Sequence, residues 1–203
     1  MRKTINIAIF VLCCLALTAE AQTVSRQQVK SEPVYTYGNV KVNPDSVLRL
    51  RVKKCKNCDS LPEDIFQYTN LQELICQNGK LKVLNSNISS FKNLQILNVS
   101  RNKLVRLPES LGELTELHTL IINRNKIEAL PESIGNLSKL ELIDAWNNPL
   151  YVLPKSISKL VNTLKVIDIR QVPIRDNELE AMEKMLPKTD IKYTSICECE
   201  NDR

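Results

Sequence analysis

The chain has 203 residues, little glycine and no stretch rich in proline, glycine and serine together. No linker divides it, and one continuous body is expected. Its formal net charge of +5 falls to +4 once a leader ending at Ala21 is removed, too mild a balance to point to nucleic acid.

The first residues read as a leader and not as part of the fold. Met1-Arg2-Lys3 gives a positive start, Ile5 to Leu17 is nearly all apolar, and Ala19-Glu20-Ala21 puts small residues where a signal peptidase reads. Cleavage before Gln22 is expected, with the product secreted or periplasmic. The apolar run is shorter than the ~20 residues needed to span a bilayer, and no later segment is apolar enough to do so. Leu12 before Cys13 and Cys13 before Cys14 are poor contexts for lipoprotein processing. Cleavage leaves Cys55, Cys58, Cys76, Cys197 and Cys199, an odd number whose pairing stays open.

Residues 22–46 are polar and read as an N-terminal cap, with Val34-Tyr35-Thr36-Tyr37 as a covering strand or hairpin. Residues 47–174 are repetitive. Leu71, Leu94, Leu117 and Leu140 open segments of one period, 23 residues apart. A divergent segment begins near Val47, and after one extra residue another opens at Leu164. Each segment is read as L-x-x-L-x-L-x-x-N-x-L. Within Leu94 to Ser100, Leu97 and Val99 point to one face of a strand, while Ile96, Asn98 and Ser100 point to the other. Asn102, Asn125 and Asn148 fall at the turn leaving each strand, where an amide side chain satisfies neighbouring backbone groups. Leu104, Leu107, Leu111 and Leu114 return at near-helical spacing, interrupted by Pro108. One such unit cannot bury its apolar face alone, but six stacked units share a core.

On these segments the chain resembles the leucine-rich-repeat family, from Val47 to about Thr189. The L-P-x-S-I/L-G-x-L tail is similar to the subclass in Ras-binding scaffold proteins and in many small secreted bacterial repeat proteins. The resemblance implies an α/β solenoid: a curved parallel sheet on the concave face and short helical or 3-10 turns on the convex one. The cysteine-cluster cap of extracellular animal relatives is missing, which leans the source toward bacteria. Residues 175–203 form the far cap. There Asn177 with Glu180 makes a capping box, Leu179, Met182 and Leu186 give an inward helical stripe, and Asp190 to Thr194 adds a last strand before a Cys-rich tail.

The family's usual ligand surface is the concave face, and its outward positions follow from the register. Ile75, Ile96, Ile121, Leu142 and Val166, with the only tryptophan, Trp146, are expected to form a solvent-facing apolar stripe. The plainer reading is that β-branched residues favour strands and that Trp146 stacks on its cross-strand neighbours. Arg101, Arg124, Asp144, Asp168 and Arg170 complete the candidate partner-binding set. Arg49, Arg51, Lys53 and Lys54 make a basic band on the first repeat strand. Protection of an edge strand against aggregation is preferred there to attraction of acidic protein, lipopolysaccharide or polyanionic glycan.

Catalytic chemistry finds little support. His118 has no evident nucleophile beside it, and no G-x-S-x-G, H-E-x-x-H or glycine-rich phosphate loop occurs. Asp144 and Asp168 align on adjacent strands as a would-be carboxylate pair, but alternating surface charge with Arg124 and Arg170 explains them as well. Cys55-x-x-Cys58 and Cys197-x-Cys199 lie at opposite ends of the stack, on the order of 25 Å apart, so one metal cannot join them. Cys55 falls on the asparagine-ladder position and Cys76 on an inward one. No cofactor and no metal are expected. The reading is a monomeric, non-enzymatic module that binds a protein ligand. An intracellular signalling scaffold of the Ras-suppressor-like type, or a hydrolase or ligase effector, is the alternative.

Overall fold

The computed structural model describes residues 26–53, 59–150, 152–174 and 176–195. The leader and four of the five cysteines expected to remain after its removal, Cys55, Cys58, Cys197 and Cys199, lie outside them, as does Lys54. The described chain opens with helix α1 (Arg26–Ser31) and strand β1 (Val34–Thr36). The repeats contribute β2 (Arg49–Arg51), β3 (Glu73–Ile75), β4 (Ile96–Asn98), β5 (Thr119–Ile121), β6 (Leu142–Asp144) and β7 (Val166–Ile174). Helix α2 (Asp176–Met185) and strand β8 (Asp190–Ser195) close it. The eight strands form one open sheet in chain order, every neighbouring pair parallel.

The period explains this topology. Leu50, Leu74, Leu97, Leu120, Ile143 and Ile167 pair in register across β2 to β7, and all are fully buried. The chain then returns through 3-10 turns, among them Glu109–Glu113 and Glu132–Asn136, whose Leu111 and Ile134 are equally buried. Pro108 and Pro131 stand just before these turns in extended conformation. That placement suits a residue with a fixed φ and no N–H to donate. The result is a two-layer stack with its leucines and isoleucines between sheet and turns.

The turn leaving each strand is held by asparagine. Asn125 donates through Nδ2 to the carbonyls of Val99 (3.0 Å) and Ile122 (2.8 Å), and its Oδ1 accepts from the Leu104 N–H (3.1 Å). Asn102 and Asn148 repeat this pattern one unit away on either side. Each amide thus bonds its own strand end and the preceding repeat, which satisfies buried backbone groups that water cannot reach. The ladder does not extend through every segment. Gly79 stands at its position in the second repeat, where a Cβ would lie 2.6 Å from the Asn102 Oδ1, and Val172 stands there in the last. The residue before each ladder position takes a positive φ of 54–66°, in Asn78, Arg101, Arg124, Asn147 and Gln171. Asparagine adopts this conformation readily, whereas arginine does so at a cost on the order of 1 kcal/mol.

The back of the stack is tighter still. A Cβ on Gly112 would meet the Ser133 carbonyl oxygen at 2.6 Å, and one on Gly135 the Ser156 carbonyl oxygen at 2.4 Å. Glycine is required here for close approach of adjacent 3-10 turns. The Glu109 carboxylate accepts from the Ser133 N–H (2.9 Å) and Glu132 from the Ser156 N–H (3.2 Å), so each turn begins on the preceding one.

Two expectations about the ends are corrected. The first repeat strand is not the edge: β1 pairs with β2, as a single parallel strand and not a hairpin. Arg49 is correspondingly engaged, bonding the Glu73 carboxylate and donating through Nη1 to the carbonyls of Lys30 and Glu32, 2.8 Å each. At the far end α2 begins at Asp176, so Asn177 lies inside the helix and not at its cap. Met182 and Leu186 are buried and Leu179 packs partly buried against the core.

Candidate binding face

Alternation along the strands sends every second side chain away from the core. The first outward row joins Arg49, Glu73, Ile96, Thr119, Leu142 and Val166, and the second joins Arg51, Ile75, Asn98, Ile121, Asp144 and Asp168. The predicted apolar stripe therefore alternates between two rows. It is also less exposed than expected: Ile75 is 8% and Ile96 6% accessible. Ile96 is flanked in register by Glu73 and Thr119, themselves buried, and lies diagonal to Ile75, so these side chains cover one another. Ile121, Leu142, Val166 and Trp146 keep part of their surface in solvent.

Around Trp146 the side chains form a connected group. The Arg124 guanidinium lies over the indole, 4.4 Å from the ring centroid. Trp146 thus stacks on a residue of the neighbouring repeat, as the plainer reading expects, and that residue is a cation; the pair gains about 0.5–1 kcal/mol at such an exposed position. Arg124 is drawn toward this ring and not toward the aspartates. The Asp144 carboxylate accepts from Asn123 Nδ2 at 2.5 Å and from the Trp146 backbone N–H at 3.4 Å. Asp168, in register beside it, is held by the Arg170 guanidinium at 3.0 and 2.7 Å. Burial works to raise the Asp168 pKa, but the hydrogen bonds and charge of Arg170, with Lys192, outweigh it and hold the carboxyl below its usual range. Arg170 is shifted up by the same bonds.

The structure thus brings Ile121, Arg124, Leu142, Asp144, Trp146, Asp168 and Arg170 together on β5 to β7 and their following turns. Arg101 stands exposed one repeat earlier, and Ile75 and Ile96 lie further back. Sequence reasoning missed Asn123, whose link to Asp144 joins two residues 21 apart, close to the repeat period. That spacing was the available signal. Cys76 is a buried free thiol, pushed up to about 12 by burial, and stays protonated at neutral pH. His118 has Nδ1 2.7 Å from the Glu116 carbonyl oxygen. Among the described residues no cluster of three or more His, Cys, Asp or Glu is placed to hold a metal ion. Among them, too, no helix is long and apolar enough to cross a membrane.

The comparisons agree with this geometry. Residues 93–114 match the family described as Leucine Rich Repeat. A leucine-rich-repeat protein of Leptospira interrogans superposes with a TM-score of 0.63 at 34% identity over 65% of this chain. An internalin of Listeria monocytogenes gives 0.57 at 16% identity over 74%, a likeness of fold alone. The chain carries a leucine-rich repeat and has the fold of the leucine-rich-repeat proteins. It spans 33% of the Leptospira chain and 50% of the internalin. No curated protein matches it.

Proposed function

We propose that the chain is an exported, non-enzymatic module that recognises a protein partner on the open face of its sheet, centred on Trp146 and Ile121. The observation that carries this is the group on β5 to β7. A half-buried tryptophan under the Arg124 guanidinium stands beside in-register Asp144 and Asp168, on a face formed by strands and free of long loops. Tryptophan and arginine are the residues most often dominant in interface energetics, and the polar groups around them are already oriented by hydrogen bonds. The repeat fold supports a binding role in general, since a stack of repeats offers an extended rigid surface. Export rests on the basic start, apolar run and small-residue cleavage site that precede Gln22.

Crosslinking the tagged protein in its native setting identifies the partner. Trp146→Ala and Ile121→Glu should then each weaken binding at least about ten-fold, roughly 1.4 kcal/mol. Unchanged affinity in both variants rejects the site. A mature N-terminus at Met1 instead of Gln22 rejects export and favours the intracellular scaffold.

A further inference from the structure

The other half of the same face has a different character. Arg51, Lys53 and Arg101 surround Gln77 and Asn78, and none of the three has an ion-pair or hydrogen-bond partner for its side chain among the described residues. The Arg51 Nε is buried and finds no acceptor. Among the described residues no carboxylate shares the patch: the outward positions of β2 to β4 beyond the first row are Arg51, Ile75, Asn98, Lys53, Gln77 and Ser100. The nearest one in the first row, Glu73, is bound by Arg49. Protection of an edge strand no longer explains these cations, because β1 and not β2 stands at the edge.

We infer that this patch is an anion-binding surface, and that the partner presents an acidic protein segment to it. The inference rests on the protein-binding reading above and names the chemistry of the partner. The rest of the Arg51 guanidinium is partly exposed and has no partner among the described residues, and a planar carboxylate is the group that fits such a fork. Strands β2 and β4 are two spacings apart, about 10 Å, so an extended segment crossing over β3 meets Arg51 and Lys53 and then Arg101. Between them the exposed Gln77 and Asn78 amides can bond a peptide backbone, which a uniformly charged polymer would not use. Among the described residues three unpaired cations are gathered, few for a polyanion held by charge alone. The patch also continues toward the apolar Ile121 and Trp146, which suits a segment with mixed acidic and apolar residues.

The test uses the full chain and a fluorescein-labelled peptide of alternating glutamate and leucine. The peptide should bind, with affinity falling as salt rises. The Arg51→Gln/Arg101→Gln double variant should lose on the order of ten-fold or more. Lys159→Gln, the same kind of charge change on the back of the stack, should leave binding unchanged, as should replacing glutamate by glutamine in a competitor that fails to compete. Equal binding by the double variant and the wild type overturns the proposal. So does tighter, variant-sensitive binding of a heparin fragment that displaces the peptide, which assigns the patch to sulfated glycan. A captured partner that needs Trp146 and Ile121 but tolerates the double variant leaves the binding reading standing and removes this one.

Discussion

The middle of the stack and its two ends are stabilised in different ways. From β4 to β6 each repeat meets the next through the same few contacts: an inward leucine or isoleucine, a ladder asparagine, a glycine in the 3-10 turn. The ends use contacts that occur once. At one end Arg49 gathers the carbonyls of Lys30 and Glu32 while the Tyr37 hydroxyl donates to the Asp64 carboxylate. At the other, the Gln171 N–H donates to Thr194 Oγ1 (3.0 Å) and Thr189 Oγ1 donates to the Leu164 carbonyl (2.7 Å). A repeated contact is buried on both sides by its neighbours, whereas a terminal contact has solvent on one. The difference teaches where energy concentrates: identical local chemistry is worth more in the middle, because the groups it satisfies have no access to water.

Asn125→Ala gives the strongest test of that contrast. It leaves the Leu104 N–H without its acceptor and takes one of two amide donors from each of the Val99 and Ile122 carbonyls, which keep Asn102 and Asn148, and should cost roughly 2–3 kcal/mol in urea unfolding. A loss no greater than that of an end contact breaks the comparison. Tyr37→Phe supplies the end contact, with an expected cost of about 0.5–1 kcal/mol. It also carries a pH signature. Burial and the bond to Asp64 raise the Tyr37 pKa from 10.0 to about 12. The wild type's advantage over Phe is therefore full below pH 10 and disappears as pH rises through 12. A difference between the two proteins that is flat across that window removes the hydrogen bond from the account. The smallest effect is expected at Asp168, whose pKa is lowered by Arg170. Its contribution is present above the ordinary carboxyl value of 3.8 and fades as pH falls below it. Asp168→Asn should shift stability by only a few tenths of a kcal/mol at neutral pH, and by less at pH values below 3. An equal shift at both pH values contradicts the ion pair.

The same division decides how much could be read before any coordinates. The strand positions, the 3-10 returns and the asparagine ladder follow from a 23-residue period, because a contact made by every repeat leaves its mark in every repeat. The parallel β1, the engagement of Arg49 and the start of α2 at Asp176 leave no periodic mark. Within the candidate site the outward positions were legible and their environments were not. Alternation places Ile75 and Ile96 outward, but their burial depends on Glu73 and Thr119 across the register. Alternation also places Arg124 and Asp144 near Trp146, yet only side-chain geometry shows the guanidinium choosing the indole. The basic band was visible as composition, and its meaning changed once β1 was found beside it.

The glycines at the back of the stack bear on the shape of the front. Hydrogen bonding fixes the separation of the strands at about 4.8 Å, and no side chain alters it. The separation of the 3-10 turns has no such ladder and is set by what Gly112 and Gly135 allow to approach. The ratio of the two spacings determines how far each repeat leans on the next. A larger residue at either glycine would splay the turns and swing the neighbouring strands about their hydrogen-bonded seam, changing the angle at which Trp146 and Asp168 face an incoming surface without touching either. Two residues on the face opposite the candidate site thereby set how far neighbouring repeats lean on one another.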